Sequence, residues 1–87
     1  MDEQAVFEKV REILAERLGK GAEGITRESR LNEDLEVDSL DLVDLSMTLE
    51  DEYGIDILEG DAADIVTVGD VVRLVLDRVP EREGEAR

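Results

Sequence analysis

The sequence predicts an all-α fold: a small four-helix bundle of three longer helices and one short helix, with a long loop between the first and second helices. Three observations indicate it. The chain has 87 residues, which is enough for one domain. Three segments repeat apolar residues at helical spacing, and each begins beside a side chain that can cap a helix. The apolar stripe of each helix needs a facing partner, and a bundle supplies it.

The first helix is predicted at residues 3–18, where apolar residues recur at helical spacing. Asp2 can cap its N-terminus, and Gly19 can end it. Residues 19–38 then lack sustained periodicity, and a loop of this length is unusual in a compact domain unless it is functional or pinned. We expect three apolar side chains to anchor this loop in the core: Ile25, Leu31 and Leu35.

The second helix is predicted to begin at Asp38 or Ser39 and to end at Gly54. Asp38 can cap it, and Asp41 stands at the third position after the cap, as in a capping box. The apolar stripe of this helix consists of Leu42, Leu45, Leu49 and Tyr53. Such a stripe indicates that one face of the helix is buried.

The remainder of the chain predicts one short and one longer helix. Residues 55–57 alternate apolar and acidic side chains and are expected to be extended, and residues 60–65 form at most a short helical turn. Thr67 can cap the last helix, which depends on packing because its stripe consists of valines, mediocre helix formers. Pro80 ends this helix. We expect residues 81–87 to be a solvated, disordered tail.

The composition excludes several kinds of chemistry. The chain has no cysteine and no histidine, which rules out disulfides, zinc sites of the usual kind, cysteine nucleophiles and Ser-His-Asp triads. No apolar run reaches the length of a membrane-spanning helix, and the N-terminus lacks the features of a signal peptide. We therefore expect a cytoplasmic protein with no membrane contact and no resident metal.

The charge distribution indicates partners of opposite charge. The net charge is −15, which argues against nucleic acids and anionic membranes as partners. Between Leu31 and Val72 the chain has fourteen Asp or Glu residues and neither Lys nor Arg. A solvated helix face is the ordinary interpretation of a charge run, but it explains poorly why no lysine compensates these acids. A docking surface for enzymes with basic faces explains it better, and its binding would be weak, fast and salt-sensitive.

Ser39 stands at the predicted start of the second helix, between Asp38 and Leu40. Its position alone favours a capping serine. A helix N-terminus also favours a phosphate ester on that hydroxyl, because its free N–H groups and its dipole attract an anion. The acidic residues around Ser39 oppose that preference and make more sense as a recognition surface for a modifying enzyme with a basic face.

The segment DSLDLVDLSMTLEDEYGIDI, residues 38–57, resembles the signature region of acyl carrier proteins. The Asp-Ser-Leu triplet at residues 38–40 is weak evidence by itself. It occurs here together with the long loop, the segment IVTVGD at residues 65–70, the acidic bias and the small size. The resemblance runs from about Phe7 to Val75, and it implies a carrier domain over residues 1–80.

This resemblance implies that Ser39 is the attachment point of 4′-phosphopantetheine. A phosphopantetheinyl transferase would move the group from coenzyme A to the serine hydroxyl in a magnesium-dependent phosphoryl transfer, with Asp38 in contact with the metal ion. The thiol of the arm would then carry acyl groups as thioesters between enzymes of fatty-acid biosynthesis. The chain would have no catalytic activity of its own, so it needs neither a cysteine nor a base beside Ser39.

The resemblance also implies two sets of contact residues. The recognition surface, for the transferase and for acyl synthases, reductases, dehydratases and transferases with basic surfaces, would comprise Asp38, Asp41, Asp44, Glu50 and Asp51. The pocket that shelters the acyl cargo would be lined by Val10, Leu45, Met47, Leu49, Ile65, Val71 and Leu74. We expect the chain to act as a monomer.

Several positions depart from the pattern of many fatty-acid carriers. Glu36 and Val37 stand where Gly-Ala is frequent, Ser46 and Thr48 replace residues that are commonly apolar or small, and Leu58 replaces a frequent proline. These changes leave the carrier interpretation intact. They weaken the assignment to the main fatty-acid pathway, so a dedicated carrier for a specialised lipid or a polyketide stays open.

Other functions fit the sequence less well. The acidic residues between Asp34 and Leu45 recur as in an EF-hand loop, but Ser39 stands where that loop needs glycine and Leu45 where it needs glutamate. A hydrolase using Ser39 lacks a base, because the chain has no histidine and no lysine nearby in sequence. A peptidyl or aminoacyl carrier shares the fold and the serine, although Asp38 is more typical of an acyl carrier. An unmodified acidic helical adaptor also stays open.

Overall fold

The regular structure of the computed structural model, which describes residues 2–19 and 21–79 apart from the side chain of Glu59, is helical. In these ranges the chain forms four α-helices and one short 3₁₀ turn, and no β-strand. In chain order the elements are α1 (Glu3–Leu18), the 3₁₀ turn (Ala22–Gly24), α2 (Ser39–Tyr53), α3 (Glu59–Ala63) and α4 (Val68–Arg78). The predicted all-α fold, with its long loop between the first and second helices, is confirmed.

α1 begins and ends where the sequence predicts. The side chain of Asp2 accepts a hydrogen bond from the N–H of Gln4 at 3.3 Å and caps the helix. Gly19 follows α1 with a φ of 69°, and Gly54 follows α2 with a φ of 66°. Glycine adopts this left-handed conformation without the steric penalty of a Cβ atom, so both residues can end a helix.

α2 begins at Ser39, with Asp38 as its N-cap. The N–H of Asp41 donates to Oδ1 of Asp38 at 2.9 Å, and the N–H of Asp38 donates to Oδ2 of Asp41 at 3.4 Å. This reciprocal pair is the predicted capping box, and it forms although aspartate replaces the usual glutamate. The capping box therefore fixes the backbone on both sides of Ser39.

An extended stretch leads from α2 to α3. Ile55 is buried and Asp56 is exposed, as the alternation of residues 55–57 predicts. The N–H of Ile57 donates to Oε2 of Glu50 at 2.8 Å, which ties this stretch to the last turns of α2. α3 follows as a single short helix, slightly earlier in the chain than the predicted turn at residues 60–65.

α4 begins with the predicted cap. The N–H of Asp70 donates to Oγ1 of Thr67 at 3.2 Å, while Oδ2 of Asp70 accepts from the N–H groups of Thr67 at 3.1 Å and Val66 at 2.9 Å. The valine stripe of α4 is buried: Val68, Val71, Val72 and Val75. The predicted stop at Pro80 and the predicted tail at residues 81–87 lie outside the described residues.

The core is aliphatic and lies mainly between α1 and α4, which pack more extensively against each other than α1 packs against α2. The largest fully buried side chains are Val6, Val10, Leu14, Ile25, Leu49, Val68, Val71, Val72 and Val75. Phe7 is also buried, and the guanidinium groups of Arg27 and Arg11 lie 4.4 and 5.2 Å from its ring centroid. Within the described ranges, no helix has both the length and the apolar character needed to cross a bilayer.

The long loop is pinned to the core and to the start of α4. The three predicted anchors are buried: Ile25, Leu31 and Leu35. Val37 is a fourth buried anchor, which the sequence analysis did not identify. The N–H of Leu31 donates to the carbonyl of Val66 at 2.9 Å, and the N–H of Val68 donates to the carbonyl of Ser29 at 3.0 Å. These bonds hold the loop in place as it approaches Ser39.

Candidate functional site

Ser39 lies on the surface, as the first residue of α2. Two surface grooves meet at this residue, and both include Leu42. One groove runs along the end of the long loop, past Val37, towards Ile65. The other runs along α2 towards α3 and is mostly apolar, with Val43, Met47, Ile57, Leu58 and Ala62 in its walls. Ser39 is therefore accessible from solvent, and a mostly apolar groove begins beside it.

The carboxylates of Asp38 and Asp41 lie at the start of α2, on either side of Ser39 in the chain. Asp38 is exposed, and its Oδ1 accepts from the N–H of Asp41. The hydrogen bond from the N–H of Asp38 lowers the pKa of Asp41 below its ordinary value, and a hydrogen bond from Arg17 lowers it further. Asp41 is therefore held ionised, and Ser39 lies in a negative environment.

Arg17 on α1 reaches across to α2 and contacts two of the five predicted recognition residues. Its Nε donates to Oδ1 of Asp41 at 3.1 Å, and its Nη2 pairs with Oδ2 of Asp44. No role for Arg17 is predicted from the sequence. No local pattern identifies this contact, because Arg17 and Asp41 are 24 positions apart in the chain.

The two remaining recognition residues lie near the end of α2. Glu50 is half-buried, and its carboxylate accepts from the N–H of Ile57, so part of its role is structural. Asp51 is exposed. The five predicted acids thus share one helix and its cap, but they differ in how much of each carboxylate is already engaged within the chain.

The predicted pocket residues separate into three groups. Val10, Leu45, Leu49 and Val71 are buried in the core. Ile65 and Leu74 are half-buried. Met47 is 60% exposed and lies in the apolar groove beside Ser39. The groove also includes Ile57, Leu58 and Ala62, which the sequence analysis did not assign to the pocket. Leu58 is 63% exposed, and a large apolar residue in place of a frequent proline was the available signal.

The structure shows the conformation, hydrogen bonding or location of three unusual residues before and within α2. Glu36 has a φ of 59°, in the left-handed region, at the position where glycine is frequent in the resembling family. The hydroxyl of Thr48 donates to the carbonyl of Asp44 at 2.9 Å, so it bonds back to its own helix. Ser46 lies in the wall of the apolar groove.

Comparisons with known proteins identify the family of the chain. Residues 8–75 match the family model described as the phosphopantetheine attachment site. The chain is 49% identical over 79 residues to an acyl carrier protein of Saccharopolyspora erythraea, and the match covers 91% of this chain and 83% of the relative. An acyl carrier protein of Rickettsia felis is 49% identical over 73 residues, covering 84% of this chain and 85% of the relative.

Solved structures show the same fold. The crystal structure of an acyl carrier protein from Thermotoga maritima matches with a TM-score of 0.77 at 30% identity, covering 100% of this chain and 96% of that chain. The solution structure of the apo doublet acyl carrier protein from prodigiosin biosynthesis matches with a TM-score of 0.74, covering 87% of this chain and 37% of that chain. The second match has 24% identity and shows the fold alone.

The surface around Ser39 fits the 4′-phosphopantetheine group that gives the family model its description. The serine is exposed, and the two grooves that meet beside it leave room for an extended arm. Proteins of this kind carry acyl groups on that arm and have no catalytic activity of their own. The family match covers most of the chain and includes Ser39. The chain therefore belongs to the acyl carrier protein family.

Proposed function

We propose that Ser39 is the attachment point of 4′-phosphopantetheine and that the chain carries acyl intermediates of fatty-acid biosynthesis as thioesters on this arm. The observation that carries the proposal is the exposed position of Ser39 at the first residue of α2, where two grooves meet. A transferase can approach this hydroxyl without unfolding the bundle. A serine enclosed by the long loop would have argued against attachment.

Attachment forms a bond between Oγ of Ser39 and the phosphorus that carries the pantetheine arm of coenzyme A, and adenosine 3′,5′-bisphosphate leaves. The serine proton would pass to a base on the transferase, because the carboxylates nearest Ser39 are already engaged: Asp41 accepts from the N–H of Asp38 and from Arg17, and Asp38 would hold the magnesium ion. Asp38 would contact the magnesium ion during this transfer. Its carboxylate is already oriented by the N–H of Asp41, which supports that role.

The acidic surface of α2 supports docking of the transferase and of acyl synthases, reductases, dehydratases and transferases with basic faces. We propose that it comprises Asp38, Asp41, Asp44, Glu50 and Asp51. Opposite charges on a partner would steer the encounter and give weak, salt-sensitive binding. A carrier that must leave each enzyme in turn benefits from such binding.

The acyl cargo would lie along the apolar groove and extend into the interior beneath it. Met47 and Leu42 lie in the groove next to Ser39, and the buried side chains of Leu45 and Leu49 are on the same helix. We propose that the cargo reaches the aliphatic interior between the helices, where Val10, Leu45, Met47, Leu49, Ile65, Val71 and Leu74 would line its path. An interior of small aliphatic residues supports this, because few rings lock it in one arrangement.

A dedicated carrier for a specialised lipid or a polyketide is the second candidate. The residues that favour it are Glu36, Val37, Ser46, Thr48 and Leu58, which depart from the pattern of many fatty-acid carriers. Glu36 is exposed and would act on enzymes that bind beside Ser39, whereas Val37 is buried and would act only through the position of the loop. Ser46 and Leu58 would act on cargo in the groove. The structural neighbour from prodigiosin biosynthesis does not favour this candidate, because its likeness concerns the fold alone.

Attachment is tested by incubating the chain with coenzyme A, magnesium and a broad-specificity phosphopantetheinyl transferase, followed by intact mass measurement. We expect the mass of one phosphopantetheine to be gained by the chain and not by its Ser39→Ala variant. Ser46→Ala is a matched control, which removes another hydroxyl of α2 and should still be modified. No mass gain with a transferase that modifies a known carrier would favour the unmodified adaptor.

A second experiment, on the modified chain, distinguishes the fatty-acid pathway from a specialised pathway. Purified enzymes of fatty-acid biosynthesis are supplied with the loaded chain, and the attached acyl group is followed by mass. Elongation and reduction of the acyl group would support the fatty-acid assignment. A chain that is modified and loaded but not elongated, beside a fatty-acid carrier that is, would favour the specialised pathway.

A further inference from the structure

The acidic surface of α2 is not entirely free in the isolated chain, because a cation from α1 already lies on part of it. The guanidinium group of Arg17 spans the carboxylates of Asp41 and Asp44, which are three positions apart and neighbours on the same helix face. The two contacts use different nitrogens of the same guanidinium group. An arginine of a partner enzyme could span the two carboxylates in the same way, because its planar group also carries several N–H donors.

The contact is accessible to a competitor. The side chain of Arg17 is 42% exposed, and the side chains of Asp41 and Asp44 are 23% and 49% exposed. An exposed ion pair of this kind is weak. A partner cation can therefore approach the same two carboxylates and take the place of Arg17 without opening the core.

Arg17 is brought to this surface only by the fold. The segment between Leu31 and Val72 contains no Lys or Arg, so any cation on its carboxylates must come from another part of the chain or from a partner. At the far end of α2, Lys9 lies 3.6 Å from Glu52. Arg17 occupies the end of α2 that adjoins Ser39, where a modifying enzyme has to bind.

We propose that Arg17 is an internal competitor for enzymes that dock on the acidic surface, and so a residue that determines which partners bind well. Its guanidinium occupies Asp41 and Asp44 in the free chain and has to be displaced before a partner can pair with them. This inference rests on the proposed function, since it concerns enzymes that dock beside Ser39.

Displacement selects among partners by the chemistry of their cations. An arginine can replace both contacts of Arg17 at once, whereas a lysine is a single compact charge that satisfies fewer of them. A partner that presents lysine would gain less at Asp41 and Asp44 and would depend more on Asp38 and Asp51. Specificity is a difference between affinities, so a modest internal contact is enough to favour one class of partner.

The test measures binding without the transfer reaction. In a Ser39→Ala background, the dissociation constant for the broad-specificity transferase loaded with coenzyme A is compared between Arg17 and Arg17→Gln. We expect Arg17→Gln to bind about two- to fivefold more tightly at low salt, the range expected from losing one weak exposed ion pair. Arg73→Gln, an exposed position on α4, makes the same change in net charge and should improve binding by a smaller factor.

A double-mutant cycle adds a readout that charge alone would not produce. With Arg17 present, Asp44→Asn should weaken transferase binding little, because that carboxylate is already occupied. In the Arg17→Gln background the same change should weaken binding more. Thermal unfolding of each variant checks that the fold is retained.

The outcomes are distinct. Equal effects of Arg17→Gln and Arg73→Gln on transferase binding would overturn the competitor role. Weaker binding by Arg17→Gln would also overturn it, and would make Arg17 a residue that positions the two carboxylates for the partner. If the chain with Ser39 intact gains no mass with the same transferase, the proposed function itself fails. Modification of Ser39 without an effect specific to Arg17 would reject this inference alone.

Discussion

Shortly before Ser39, one residue has a backbone conformation that its side chain disfavours. Glu36 has a φ of 59°, and a residue with a Cβ atom in this region carries a steric penalty of about 1–2 kcal/mol. Glycine avoids this penalty but loses more backbone entropy on folding. Glu36 is exposed and followed by the buried Val37, so the chain cannot relax here without moving an anchor of the loop.

We predict that Glu36→Gly raises the free energy of unfolding by about 0.5–1 kcal/mol, the steric gain less the entropic loss. Urea unfolding monitored by circular dichroism measures it. Glu36→Gln is the matched control, because it removes the same charge but keeps the Cβ atom. If Glu36→Gln stabilises the chain as much as Glu36→Gly, relief of charge repulsion and not backbone strain would be the cause.

Asp70 is a second residue whose contribution to the stability of the fold can be measured separately. Its carboxylate accepts from the N–H groups of Val66 and Thr67, and these bonds lower its pKa below the ordinary value. The folded state therefore favours the ionised form. The resulting stabilisation is present above the ordinary aspartate pKa of 3.8 and is lost as the pH falls towards the lower pKa of the folded chain.

We predict that Asp70→Ala lowers the free energy of unfolding by about 1 kcal/mol at neutral pH, which is typical of a lost helix cap. The difference from the parent chain should shrink as the pH falls below 3.8. Asp77→Ala removes an exposed carboxylate near the C-terminus of α4, where a negative charge opposes the helix dipole, and should leave the free energy of unfolding unchanged or slightly higher. A difference for Asp70→Ala that does not change with pH would show that the carboxylate charge is unimportant.

At the scale of elements, the short helix α3 depends on side-chain contacts from α4. A helix of five residues is not stable by itself. Arg78 at the end of α4 donates from Nη2 to Oδ1 of Asp61 at 2.6 Å and from Nη1 to the carbonyl of Asp56 at 3.0 Å. The other carboxylate oxygen of Asp61 accepts from the N–H of Leu58 at 2.9 Å. One arginine therefore joins α3 and the stretch before it to α4.

We predict that Arg78→Gln accelerates amide hydrogen exchange in α3 while exchange in α1 stays slow. The N–H of Ile65, which donates to the carbonyl of Ala62, is a suitable reporter at the end of α3. Arg73→Gln, on the same helix but outside this contact, is the control. Unchanged exchange at Ile65 in Arg78→Gln would mean that apolar packing alone holds α3.

The elements also show why some features follow from sequence and others do not. The start of α2 could be predicted because its cap is local: Asp38 and Asp41 are three positions apart. The contacts of Arg17 and Arg78 could not, since their partners lie far away in the chain and only packing brings them together. Val37 was missed although other anchors of the same loop were predicted, because it stands between Glu36 and Asp38 and was interpreted as part of the charged approach to Ser39.

For the whole molecule, charge segregation is the property that sequence predicted most directly and that the fold then modifies. The net charge of −15 and the run of fourteen acids follow from composition and order alone. The fold places cations from α1 and α4 against a few of these acids, including Arg17, Lys9 and Arg78. Most of the self-repulsion is left to solvent and ions, and it acts on a small domain whose stability margin is thin.

We predict that millimolar magnesium or calcium raises the melting temperature in low salt, because divalent cations gather near the acidic surface and reduce its repulsion. For a domain of this size, a gain of about 1 kcal/mol corresponds to about 4–8 °C. In the described part of the chain, no group of three or more acidic residues forms a metal-binding cluster, so we expect a gradual response without saturation at one ion. Sodium chloride at matched ionic strength is the control and should raise the melting temperature less. A flat response to magnesium in low salt would contradict the prediction, and sharp saturation at one equivalent would indicate a discrete site instead of diffuse screening.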